Sequence, residues 1–302
     1  MSQISLSTMW AKGRFSNMAK FVVKTRDLGF THVEVNASVS PQGLNELIKT
    51  SIPISSIHCP CPAVLPSRGI PIANLSLSSI EKREREEAVN FARRTIELAR
   101  KVDAGAVILH VGEVPINPGL EVELRQLYRQ NLTQTERYKQ IKEQLIYQRA
   151  SQATSYLEAA RKSLEELSQY SQEQGIMLGL ETRFYFHEIP NIEEMEDLLN
   201  EMKGKSVGYW HDVGHAEVQQ RLGFASHKEW LSRFSHKMIG IHLHDVIGLS
   251  DHRPPGKGNV DWEMVAKHLP HKAIKVCEIA EWNEEEQIQG VVNFLREKEV
   301  TD

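Results

Sequence analysis

MLGLET (Met177–Thr182), VGYWHD (Val207–Asp212) and IGIHLHD (Ile239–Asp245) succeed one another in the second half of the chain, and each is a short apolar or β-branched run with a carboxylate or imidazole at its end. Runs of this length and composition read as buried strands. Working outward, the pattern recurs upstream at ISLST (Ile4–Thr8), THVEVN (Thr31–Asn36), ISSIHC (Ile54–Cys59) and AVILHVG (Ala106–Gly112), and downstream at IKVCEIA (Ile274–Ala280). Between the runs lie segments with helical spacing. Ala88, Phe91, Thr95, Leu98 and Val102 recur at intervals of three or four behind a solvated EKRERE lead-in. Ala153, Leu157, Ala160, Leu164 and Leu167 do the same ahead of Gly175, where a left-handed helix cap is expected. Strand–helix alternation along the whole chain implies parallel strands joined by helical crossovers, and about eight such units close into a (β/α)8 TIM barrel. An open doubly wound sheet is the alternative. Against it, the sequence carries neither G-x-G-x-x-G after its first strand nor a G-x-x-x-x-G-K-[ST] phosphate loop.

The chain has 302 residues, and a single α/β barrel domain is expected over residues 1–302. The excess over the ~250 residues of a typical barrel falls mainly in a polar, partly helical insertion after the fourth strand, from Glu113 to about Arg149. An extended helix is the expected form of this insertion, with a lid or a subunit contact as alternatives.

Hydrophobic residues make up 40% and charged residues 25%, which supports a substantial core and excludes a disordered or collagen-like chain. Lys+Arg 36 against Asp+Glu 40 leaves a net charge of −4, without the basic excess that drives binding to a phosphate backbone, so nucleic acid is not an expected partner. No run approaches the ~18 apolar residues of a membrane span, and the first residues lack the order of a secretory signal, so a cytoplasmic location is expected. Cys59, Cys61 and Cys277 are odd in number, and C-P-C is not a metal-binding or redox spacing, which points to reduced thiols.

The positions of the thirteen histidines are informative. Active sites of barrels are assembled at the C-terminal ends of the strands, and a polar side chain ending a buried strand must find a partner or a function. His58 ends the third strand, His110 the fourth and Glu181 the fifth; Asp212 and His215, then His242 and His244, and finally Glu278 follow on the sixth to eighth. A single strand-end histidine is ordinarily structural. Carboxylates after L-G-L and V-C are different, because a buried carboxylate costs several kcal/mol unless a cation, a proton or a dense hydrogen-bond shell compensates it. Carboxylates and imidazoles converging from successive strands are the composition of a divalent-metal site. The loop LSDHRPPGKGNVDW adds Asp251 and His252 as further candidate ligands beside a rigid Pro-Gly turn, which could equally be a structural βα turn ending in a helix cap.

L-G-L-E-T-R, W-H-D-V-G-H-A, H-L-H-D with D-H-x-P-P-G-x-G-x-x-D-W, and V-C-E together resemble the xylose isomerase-like barrel superfamily, in matching order over nearly the whole chain. That superfamily includes sugar isomerases and epimerases, dehydratases and, more distantly, endonuclease IV. The resemblance implies one divalent metal held by Glu181, Asp212, His242 and Glu278, with His242 preferred over His244 because H-x-x-[DE] is satisfied with Asp245. It implies that His215 and Arg183 contact substrate. It also implies that His58, His110, His215, Asp251 and His252 match the extra ligands of the multi-zinc branch, although the usual Asp position is Ser250 here. The insertion is absent from the compact epimerases.

The expected function is therefore a metal-dependent isomerase or epimerase using Mn²⁺, Mg²⁺, Co²⁺ or Zn²⁺. One ion would stabilise an enediolate of a polyol, keto-sugar or phosphorylated sugar while Glu181 and Glu278 move the proton. The rivals are a hydrolase with two or three zinc ions, a dehydratase, and a barrel that binds without turnover; a homo-oligomer is compatible with all of them.

Overall fold

In a computed structural model of the chain, which describes residues 3–63 and 75–302, eight parallel strands close into a barrel. They are β1 (Ser5–Ser7), β2 (His32–Val35), β3 (Ile54–His58), β4 (Ala106–Leu109), β5 (Met177–Glu181), β6 (Val207–Asp212), β7 (Met238–Leu243) and β8 (Ile274–Cys277). Each pairs with its neighbours in chain order, and β8 closes on β1 through Ser5 opposite Val276. The expected (β/α)8 architecture is thus observed, with strands one to three residues shorter at several ends than the apolar runs suggest. The residues past the ends of β4 and β7 turn out of the barrel into two short antiparallel ribbons, Gly112–Glu113 with Glu188–Ile189 and Asp245–Ile247 with Ser250–Arg253.

Eleven α-helices are described: α1 (Met18–Asp27), α2 (Pro41–Lys49), α3 (Lys82–Lys101), α4 (Pro118–Arg129), α5 (Glu136–Gln174), α6 (Ile192–Glu201), α7 (Val213–Arg221), α8 (His227–Phe234), α9 (Trp262–His268), α10 (Glu285–Ile288) and α11 (Val291–Glu297). Their starts follow local chemistry. Asn17, Ser40, Thr135 and Asp261 each accept a hydrogen bond from a first-turn amide, and Asn191 with Glu194 forms a reciprocal capping box. Gly175 adopts the left-handed cap expected of it.

The insertion is two helices. α4 packs on the first half of α5, and α5 continues without a break into the crossover helix expected around Ala153–Leu167, giving 39 residues or roughly 58 Å. No helix among the described residues is long and apolar enough to cross a membrane.

Barrel packing accounts for the sequence around the strand ends. On β6, alternation sends Trp210 and Asp212 into the barrel, while Tyr209 and His211 face the helices, where Tyr209 packs on Trp230 and Phe234 of α8. The Trp210 ring fills the barrel between β5 and β7: a Cβ at Gly179 would lie 2.9 Å from it, and one at Gly240 2.1 Å. The glycines of L-G-L and I-G-I therefore make room for the floor on which the strand-end residues stand. Cys61 and Cys277 are buried, and the three cysteines are free thiols.

Candidate active site

The centre of the barrel mouth is built from inward-facing ends of β5 to β8. Donor atoms of Glu181, Asp212, His242 and Glu278 all lie within 4.8 Å of one another, and every one of these side chains is buried. His242 Nδ1 stands 2.7 Å from Glu181 Oε1 and 3.4 Å from both Asp212 Oδ2 and Glu278 Oε2. Its other nitrogen, Nε2, donates to Glu34 Oε2 at 3.1 Å, and that oxygen also accepts from Ser56 Oγ at 2.9 Å.

This is a crowd of buried acids around one imidazole. Burial pushes the Glu181 and Asp212 carboxyls up, but His110 beside the first, and His215 and His244 beside the second, more than reverse this and hold both well below the usual carboxylate range. His242 is opposed by burial and sustained as a cation by Glu278 and Glu34, well above the usual imidazole range. Glu278 receives less compensation: burial, with Glu34 and Glu181 nearby, raises it to about 7. His58, buried among these groups, is lowered to about 3 and stands neutral.

The donor set fits a divalent cation. Three carboxylate oxygens and one imidazole nitrogen suit Mn²⁺, Mg²⁺, Co²⁺ or Zn²⁺. Glu34 Oε1 is buried without a hydrogen-bond partner, a sign of more negative charge than the protein groups neutralise. A carboxylate on the far nitrogen of a metal-binding histidine is also the usual means of fixing its ring.

Other groups of donors overlap or adjoin the centre, and two of them extend to its flanks. His58, His110 and Glu181 form one, with His110 Nε2 at 2.7 Å from Glu181 Oε2. His215, Asp251 and His252 form the other, with Asp251 Oδ2 at 3.8 Å from His215 Nε2 and 3.6 Å from His252 Nε2. The backbone at His252 is left-handed (φ 51°), which breaks strand alternation and lets consecutive side chains face one cleft; Ser250, at the usual Asp position, is exposed instead. His215 Nδ1 donates to the Thr182 carbonyl at 2.9 Å, leaving Nε2 directed at the cleft.

Local sequence explains the D-V-G-H and H-L-H-D motifs. Asp212 caps α7 by accepting from the His215 amide at 2.7 Å. His244 holds Asp212 through Nε2 at 2.9 Å, and a Cβ at Gly214 would lie 2.2 Å from the His244 ring. His244 is thus an orienting group behind Asp212. Asp245 clamps the Pro-Pro-Gly turn by accepting from the amides of Gly256 and Val260 and from Trp262 Nε1.

Above the donors opens a cleft of about 410 Å³. Met9, Asn36 and Ala37 line one side, and Arg183, Phe184, Tyr185 and Glu188 from the loop after β5 line another. Arg183 bridges Glu181 (2.5 Å) and Glu188, so its charge is spent within the site.

Every residue expected from the sequence lies in or directly under this cleft. Glu34 and Asn36 escaped that reading, as did the wall formed by Phe184 and Tyr185. The signal for Glu34 was present: an acid inside the β-branched run THVEVN is the same anomaly as Glu181 in LGLET.

A model of the xylose isomerase-like TIM barrel family matches residues 22–298. An uncharacterized protein of Methanocaldococcus jannaschii is 25% identical over 250 residues, covering 81% of this chain and 77% of that one. Among solved structures, D-psicose 3-epimerase with D-tagatose from Clostridium cellulolyticum H10 superposes with a TM-score of 0.69 at 16% identity, covering 98% of this chain and 99% of that one. The 3-keto-D-glucoside 4-epimerase of E. coli gives 0.67 at 14% identity, covering 98% and 100%. A D-tagatose 3-epimerase-like protein gives 0.63 at 19%, covering 98% and 96%. These likenesses are of fold.

Proposed function

Because the chain belongs to the xylose isomerase-like TIM barrel family, we propose that it is a divalent-metal-dependent isomerase or epimerase of a polyol or keto-sugar. The observation that carries this reading is the convergence of Glu181, Asp212, His242 and Glu278 within 4.8 Å beneath a cleft of sugar-sized volume. When bound there, a divalent ion supplies electrostatic stabilisation of the charge that develops on a substrate carbonyl oxygen as the adjacent carbon loses its proton.

The two glutamates divide the remaining work. Glu181 is kept anionic by His110, His242 and Arg183, which suits a ligand and a fixed negative charge. Glu278 lines the same cleft with no arginine paired to it among the described residues, its histidine neighbours His242, His58 and His252 standing 3.4 to 3.7 Å away, and is the stronger candidate for the base that first removes the proton. Return of that proton from Glu278 to the neighbouring carbon completes an isomerisation, whereas an epimerisation needs a solvent-derived proton delivered to the opposite face, on the Glu181 side where His110 Nε2 lies 2.7 Å from Glu181 Oε2, while Glu278 releases its own proton to solvent. His215 and Asn36 line the cleft where they can orient hydroxyl groups, and Arg183 fixes Glu181 and Glu188 beside them.

The test is incubation with D-allulose, D-tagatose and D-fructose in D2O with Mn²⁺. Deuterium entering at the carbon next to the carbonyl is expected; product without deuterium, or no product from any keto-sugar, contradicts the reading.

A second reading rests on the two flanking donor groups, since Glu181 belongs to one of them as well as to the centre. A site holding two or three zinc ions suits hydrolysis of a small phosphoester. Metal content separates the two: about one ion per chain for the first, two or three for the second.

A further inference from the structure

We propose that the inserted helix α4 is a specificity element, with Arg125 and Glu121 as positioning residues that set the Phe184–Tyr185 wall of the substrate cleft. The inference rests on the keto-sugar reading only for the nature of what the wall contacts.

The loop after β5 runs as RFYFHE (Arg183–Glu188), and four of its side chains line the cleft. Its outer side is held by the insertion. Arg125, buried on α4, lays its guanidinium over the rings of Phe184 (4.3 Å) and Tyr185 (4.7 Å). One of its nitrogens also donates to the Phe184 carbonyl at 3.2 Å and to Glu121 Oε1 at 3.1 Å. Glu121, one turn earlier and equally buried, accepts from His187 Nδ1 at 2.8 Å and from the Phe186 amide at 3.4 Å. Further along, Arg149 of α5 grips the same loop through the Glu188 carbonyl at 2.9 Å while anchored on Glu194.

A guanidinium that binds a backbone carbonyl and stacks on two adjacent rings fixes both the path of the chain and the tilt of the rings. Phe184 also meets His215 edge to face at 5.5 Å, so a shift of the wall is felt directly by a residue facing the donors. Tyr185 is 42% exposed, which leaves its outer portion available to a ligand entering the cleft. Flat aromatic faces suit the carbon-bearing face of a sugar, while the buried Arg–Glu pair behind them does not line the cleft. α4 is therefore a buttress under the substrate-facing loop.

The experiment compares the full chain with Arg125→Met and Arg125→Lys by amide hydrogen exchange, Mn²⁺ affinity and kinetics on D-allulose, D-tagatose and D-fructose. In Arg125→Met, exchange of residues 184–188 should rise roughly tenfold with the barrel strands and Mn²⁺ affinity unchanged. KM for the keto-sugars should rise roughly tenfold while kcat moves less, and Arg125→Lys should recover only part of it. Unaltered exchange in that loop overturns the proposal whatever the substrate, and accelerated exchange with unaltered KM overturns its specificity claim. Native protein inactive on all three sugars, with accelerated exchange in the variant, supports the buttress and overturns the epimerase reading instead.

Discussion

Two polar clusters lie back to back across strand β6, and they differ in how they are satisfied. Inside the barrel, Asp212 joins Glu34, Glu181, His242 and Glu278, a set of acids with too few protein cations. Outside it, Tyr209 and His211 belong to a chain running from Thr182 Oγ through Tyr209 (2.7 Å), His211 (2.6 Å) and His227 (3.0 Å) to Glu217 (3.2 Å). Each hydroxyl and ring nitrogen there can donate to the next group, ending on a carboxylate that Arg221 also neutralises at 2.8 Å. Both clusters are buried and rich in histidine. Only the inner one leaves charge unmatched, so unmatched charge, more than burial or histidine content, marks the site.

The comparison makes distinct demands on each side. The largest effect is expected from Glu278→Gln, which should lower turnover by roughly 10²–10⁴ with melting unchanged, measured as initial rates on a keto-sugar beside thermal unfolding. Next, Glu34→Gln should weaken Mn²⁺ binding by roughly 10–100-fold in a chelator competition, because the His242 ring loses its charged anchor. A smaller change is expected across the strand: His211→Phe should cost about 1–3 kcal/mol in urea unfolding, by leaving the Tyr209 hydroxyl and His227 Nε2 each short of one buried partner, and should leave Mn²⁺ affinity as it was. An outer variant that abolishes metal binding, or an inner one that only destabilises, would break the distinction.

The smallest effect concerns the cleft loop. Burial alone would lower His187, but the carboxylates of Glu113, 3.6 Å away, and Glu121, hydrogen-bonded at 2.8 Å, hold it up at about 9, above the ordinary 6.5. Its folded value exceeds its unfolded one, so its contribution to stability is full below about pH 6.5 and is lost as the pH rises through 9. Urea midpoints of the native chain should fall relative to His187→Gln across that window, and parallel curves would remove His187 from the account.

The strand-end chemistry was legible in the sequence because burial on both faces of a parallel strand makes any polar residue conspicuous. Glu181, Asp212, His242 and Glu278 stand out on this ground; Glu34 carries the same signal one residue inside its strand end, but V-E-V also fits the alternation of a half-exposed strand, which masks it. His242 and His244, two apart, share one face of their strand, and only their partners, Glu181 for the first and Asp212 for the second, separate candidate ligand from orienting group. The insertion was visible as excess length and an extended helix was expected there, as α5 is, but the separate helix α4 was not, since its buried face is covered only once α5 lies against it. The Phe184–Tyr185 wall depends on Arg125, 59 residues from Phe184, and no local pattern announces such a contact.

The central claim is that the inner cluster is completed by a divalent cation. Anomalous scattering from crystals grown with Mn²⁺ tests it directly: the account predicts a full peak bounded by Glu181, Asp212, His242 and Glu278, with His242 Nδ1 as its nitrogen ligand. A well-ordered site with no peak there, or manganese confined to His215, Asp251 and His252, would contradict it.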